Sequence, residues 1–161
     1  MPFFLRALSL GLLLAAAAPC GWIWTTPGEA APKNRFTYFR KVVTLDRVPA
    51  GATLLFSADS NARLWINGQT VLRKVTRYHE DRATADSIDV APYLHAGRNV
   101  IVVLHHNWGP IVTFQRSANK HAGLYVESDW VRTDASWRWL TAPEFAAHEK
   151  QIVGITGDQR I

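Results

Sequence analysis

The dipeptide Asn67-Gly68 stands between "ARLWI" (62–66) and "QTVLRKV" (69–75). Both central residues of a type I′ turn need positive φ, and Asn-Gly meets that requirement with little strain. The flanking segments then read as two strands of a hairpin. Other segments have the same character: 36–45, 52–58, 86–90, 99–106, 123–129 and 136–140 are short and rich in apolar, aromatic or β-branched residues. Turn residues separate them, as in Pro49-Ala-Gly51 and "APYLHAGRN". No stretch sustains a period of 3.6 residues, apart from a short helix expected within 142–151. Short strands at this spacing predict an all-β fold, a jelly-roll sandwich of about eight antiparallel strands.

Side-chain alternation adds detail. In 62–66, Leu64 and Ile66 share the core-facing side, and Trp65 lies on the other with Arg63. In "NVIVVLHH" (99–106), Val100, Val102 and Leu104 share one face and Ile101 and Val103 the opposite one. A sheet with one solvated face would carry polar residues there. This strand is apolar on both sides, which assigns Ile101 and Val103 to a covered outer face beside Trp65. The candidates for that cover are the N-terminal segment with Trp22 and Trp24, a loop, or a second domain. Trp65, Trp22 and Trp24 are therefore candidate interface residues.

The first 20 residues form a separate unit. Arg6, an apolar run from Ala7 to Ala18 and small residues after it make a secretory signal peptide pattern, with a small-x-small cleavage site ending at Ala17. The run is too short for a transmembrane helix, so no membrane span is expected. Pro19 before Cys20 disfavours a lipid anchor at that cysteine. The expected location is secreted or periplasmic. Residues 21–35 read as a loop segment, 36–141 as the sandwich, and 142–161 as a linker or the start of a further domain. With a single cysteine among 161 residues, no internal disulfide can form. The net charge of +5 comes from scattered Lys and Arg with no polybasic block, which argues against nucleic-acid binding.

Catalytic patterns are absent. There is no GxSxG, no HExxH and no glycine-rich phosphate loop. Asp59, Asp81, Asp86 and Asp89 fall near expected turns, where Asp commonly bonds its own backbone. A strand throws adjacent His105 and His106 to opposite faces, so they do not chelate together, and both read as solvated or capping histidines. A sugar site is better supplied. Carbohydrates are held by aromatic rings against their C–H faces and by polar side chains at their hydroxyls. "HHNWGP" (105–110) offers His105, Asn107 and Trp108 at a strand end, and "SADSNARLW" (57–65) adds Asp59 and Asn61. The competing reading makes the tryptophans packing residues and the polar groups turn-closers. No catalytic residue, metal ligand or cofactor site is assigned.

The same residues carry a resemblance. An aromatic-Arg-Lys strand, "A-x-L-x-x-S-A-D" from Ala52, "L-W-I-N-G" from Leu64, "D-V-A-P-Y-L-x-x-G-x-N-V-I-x-V" from Asp89 and "N-W-G" from Asn107 occur in order, between "GWIW" and "SDWVRTDASWR". This layout resembles the N-terminal β-sandwich of bacterial α-L-rhamnosidases, glycoside hydrolase family 78. More loosely it resembles the sugar-binding domain of the β-galactosidase family. The resemblance runs from about Gly21 to the end and implies a galactose-binding-like jelly roll. It implies a non-catalytic module that binds carbohydrate or packs against a catalytic domain. Rhamnosidases carry their catalytic carboxylates in a later helical barrel, to which nothing here corresponds. The alternatives are the N-terminal fragment of such an enzyme and a structural module with no ligand. Sandwiches of this kind sometimes hold a structural calcium.

Overall fold

A computed structural model describes residues 21–25, 35–76, 84–108 and 122–145. The leader pattern, Cys20, Asp81 and the helix expected within 142–151, beyond residue 145, lie outside the described residues. Eight strands form among the described residues: β1 (Arg35–Leu45), β2 (Thr53–Ala58), β3 (Asn61–Ile66), β4 (Gln69–Leu72), β5 (Asp86–Asp89), β6 (Gly97–Asn107), β7 (Leu124–Glu127) and β8 (Arg138–Thr141). A 3-10 turn, Ala91–Tyr93, precedes β6. Five strands pair in the order β4-β3-β6-β1-β8 and three in the order β5-β2-β7, every pairing antiparallel. The chain changes sheet at nearly every connection, which is jelly-roll winding.

The alternating pattern becomes the core. Phe39, Leu64, Ile66, Ile101 and Val103 from the larger sheet meet Leu54, Phe56, Leu124 and Val126 from the smaller one. All nine are buried. Each such side chain contributes about 1.5–3 kcal/mol by leaving water. One expectation is corrected here. Ile101 pairs with Ile66 and Val103 with Leu64, so Ile101 and Val103 face the core, not an outer face. The outward residues of β6 are Val100, Val102 and Leu104, and Trp65 lies opposite Val102. Alternation separates the two apolar faces of β6, and the pairing with β3 decides which of them is inside.

The hairpin at residues 67–68 is tied to a second asparagine. Asn67 and Gly68 both have positive φ, 51° and 80°. The Asn67 amide donates to the Tyr93 carbonyl at 2.9 Å and to Asn99 Oδ1 at 2.8 Å, while its Oδ1 accepts from the Val100 N–H at 2.9 Å. Buried Asn99 also accepts from the His95 N–H and donates to the His95 and Gly97 carbonyls. "L-W-I-N-G" and "G-x-N-V-I-x-V" are thus the two halves of one buried hydrogen-bond network. It fixes the β3–β4 turn to the entry of β6, and its members are satisfied by protein partners.

The "GWIW" segment takes up a different position from the one expected. Ile23 exchanges two backbone bonds of 3.0 Å with Leu124, adding a short stretch to the β7 edge of the smaller sheet. Trp22 packs on Tyr125 and Trp24 on Phe39 and His105. Phe39 and His105 point inward, so Trp24 closes the gap between the sheets. The outer face bearing Trp65 is not covered by Trp22 or Trp24.

Candidate functional site

The five candidate sugar-contacting residues come together at one end of the sandwich. The Asp59-Ser60 turn passes from β2 in the smaller sheet to β3 in the larger one, beside the last residues of β6. Ser60 is held at φ 74°, in the left-handed region that non-glycine residues rarely occupy. Its hydroxyl accepts from the Trp108 N–H at 3.0 Å, and the Asp59 N–H donates to the Gly123 carbonyl at 2.9 Å. A Cβ on Gly123 would stand 2.7 Å from the Trp22 ring, so a larger residue there would displace that ring.

The structure then divides the five. Asp59, His105 and Asn107 are buried. The Asn107 amide donates to Asp59 Oδ2 at 3.2 Å, and His105 Nε2 lies 3.1 Å from the Gly123 carbonyl. These three fasten the turn, the end of β6 and the start of β7 to one another, out of reach of a ligand. Asn61 and Trp108 remain partly exposed, with Asn61 Oδ1 accepting from the Ala62 N–H at 2.9 Å.

The histidines differ from the expectation of solvated or capping groups. His105 is buried against Trp24 and Phe39, and burial pushes its pKa down to about 3. The carbonyls of Gly123 and Asp59 pull the other way and are outweighed. His106 faces outward as expected, but is stacked on Phe36 with ring centroids 3.8 Å apart, and burial lowers its pKa to about 4. Its Nδ1 accepts from the Trp108 indole N–H at 3.1 Å, which places the neutral ring's proton on Nε2. Phe145 stacks on the other side of Phe36 at 4.1 Å. An aromatic row, Phe145-Phe36-His106-Trp108, therefore lines this end of the outer face of the larger sheet. His106, Phe36 and Phe145 were not selected from sequence. The register that aligns Phe36 with His106 sets residues 70 positions apart side by side.

This arrangement suits contact with a flat apolar ligand face beside polar groups. Glycosidases in general place two carboxyl groups across the bond to be cut. Of the described carboxylates at this end, Asp59 is buried and engaged by Asn107, and Glu144 accepts a bond from the Tyr38 hydroxyl. Among the described residues no group of three or more His, Cys, Asp or Glu is placed to hold a metal, and no helix is long and apolar enough to cross a membrane.

No protein-family model matches the chain. An α-L-rhamnosidase of Streptomyces avermitilis is 30% identical over 122 residues, covering 70% of this chain and 12% of that protein. The chain thus spans about an eighth of the length of the curated relative it matches. Among solved structures, the family 78 rhamnosidase of Bacillus sp. GL1 superposes with a TM-score of 0.62 at 29% identity, covering 76% of this chain and 13% of that one. The lectin of Pleurotus ostreatus superposes at 0.53 with 27% identity, covering 76% of this chain and 35% of that one. In sequence and in fold, this chain is similar to one β-sandwich module of the α-L-rhamnosidases of glycoside hydrolase family 78, a small part of those enzymes.

Proposed function

We propose that the chain is a non-catalytic accessory module of rhamnosidase-type glycoside hydrolases, and that it binds carbohydrate at the Trp108 end of the larger sheet. The observation that carries this reading is the fixed, half-exposed Trp108 ring. Its backbone is anchored by Ser60 and its indole by His106, so it loses little freedom on meeting a ligand. Asn61 lies across from His106 in the strand register and adds a partly exposed amide to this end. The likeness to a fungal lectin supports the same reading, and the named activity of the relatives supplies the enzyme context. The test is affinity electrophoresis of the full chain through gels containing a panel of polysaccharides. Retardation by at least one glycan, lost in Trp108→Ala at an unchanged melting temperature, is the expected result. Mobility unaffected by every glycan would overturn carbohydrate binding.

A further inference from the structure

Beyond Trp108, the outer face of the larger sheet carries an unusual set of charges. The row next to Asn61 and His106 is Arg63-Leu104-Tyr38-Leu140, and the following row is Trp65-Val102-Arg40-Arg138, each set by strand register. Arg40 and Arg138 stand directly opposite each other on β1 and β8, with Cβ atoms about 5 Å apart. Arg63 is two strands across and one row along, roughly 12 Å from Arg40. Arg98 points to the same side farther along β6. None of these four guanidiniums has an ion pair or hydrogen bond among the described residues. The outward strand positions of this face hold no Asp or Glu. Glu144, at its edge, accepts the Tyr38 hydroxyl bond at 2.5 Å. Like charges facing each other across a strand pair oppose sheet formation, and among the described residues the one carboxylate near them, Glu144, is bonded to Tyr38 and not to an arginine.

From this geometry we infer that the glycan held at Trp108 is acidic, a polysaccharide bearing carboxylates that pair with Arg63, Arg40 and Arg138; this rests on the carbohydrate-binding reading above. Neutral sugar hydroxyls are read by acceptors as well as donors. Of the side chains on this end that could accept, Asp59, Asn107 and His105 are buried, and the Asn61 oxygen already takes the Ala62 N–H. The charged groups on the outward strand positions of this face are guanidiniums, which only donate. Five N–H groups in a planar fork match a carboxylate, often with two parallel bonds. A uronate chain lying from the Trp108 ring across Asn61 and Arg63 towards the Arg40-Arg138 pair would place its sugar face on the aromatic end and its anions on the cations.

The test is affinity electrophoresis of the full chain in gels containing polygalacturonate, neutral galactan or polyglutamate. Polygalacturonate should retard the chain most strongly. The R40Q/R63Q/R138Q variant should weaken that binding about tenfold or more. The R47Q/R73Q/K74Q variant removes equal charge elsewhere and should change it less than about twofold. Trp108→Ala should abolish it. Melting at or above the wild-type temperature establishes that the triple variant is folded, and R63Q alone, at an exposed site, repeats the test with less disturbance. Equal weakening by the two triple variants would overturn the assignment. So would polyglutamate binding as tightly as polygalacturonate, which would mark the face as a contact for an acidic protein. Retardation by galactan equal to that by polygalacturonate would overturn the acidic class and leave carbohydrate binding standing. No retardation by either glycan would end both.

Discussion

Trp65 and Trp108 lie on the same side of the larger sheet and should respond oppositely to truncation. Trp65 is half-buried in mid-strand opposite Val102, so Trp65→Ala removes apolar contact from the sheet face. Its melting temperature should fall by about 5 °C with glycan affinity nearly unchanged. Trp108 follows the last strand residue and should show the reverse, a melting temperature within about 2 °C of wild type and lost retardation. Loss of sugar binding in Trp65→Ala at an unchanged melting temperature would reverse the two roles. Asn67 gives a third residue-level outcome. Replacing it with Ala removes bonds to Tyr93, Asn99 and Val100 and leaves buried Asn99 short of a partner. Unfolding by urea should report a loss of about 2–4 kcal/mol. A loss below about 1 kcal/mol would show that the network is not a stability element.

At the scale of the element, the β3–β4 hairpin depends on backbone conformation as well as on contacts. Gly68 has φ 80° and open space around the position of a Cβ, so Gly68→Ala tests the conformational term alone. The expected cost is about 1 kcal/mol, with the denaturant slope unchanged. The sequence identified this turn correctly because positive φ at two consecutive residues is a local property that Asn-Gly meets well. Strand positions were legible for the same reason, and the eight expected segments differ from the observed strands by a few residues at their ends. The facing of β6 was not legible. Its two sides are equally apolar, and only pairing with β3 reveals that Ile101 and Val103 join Ile66 and Leu64 inside.

For the whole molecule, acid is the informative perturbation. His105 titrates at about 3 when folded and near 6.5 in an unfolded chain. The unfolded state therefore binds more protons between these values. The stability associated with neutral His105 is complete above about pH 6.5 and declines as pH falls towards 3. His106, lowered to about 4, acts in the same direction over a narrower range. By pH 4.5 the His105 contribution alone is on the order of 2–3 kcal/mol of lost stability. Melting temperature against pH should fall steeply below 6.5 in the wild type, and His105→Gln should flatten that slope. An unchanged slope would place the acid sensitivity elsewhere. The same purified chain should give no turnover of aryl rhamnosides, since a glycosidase needs two carboxyl groups facing across the bond and Asp59 is buried and engaged by Asn107. Turnover lost on changing a single Asp or Glu would refute this.

The sequence by itself determined the strands, the turn at Asn67-Gly68, the fold class and the likeness to rhamnosidase modules. Each of these is written in local periodicity, in turn chemistry or in the order of short motifs along the chain. Only the tertiary structure decided which candidate residues a ligand can reach. Asp59, His105 and Asn107 look like sugar-contacting groups in "HHNWGP" and "SADSNARLW", but all three are buried, His105 against Trp24 and Asp59 against Asn107. Burial depends on elements distant in sequence, so no local pattern records it. The same holds for the arginine face. Arg40, Arg63 and Arg138 are scattered along the chain and read singly as solvated surface charge. Strand register brings them onto one face whose outward strand positions hold no acid, because alternation sets the side each residue takes and pairing sets its neighbours.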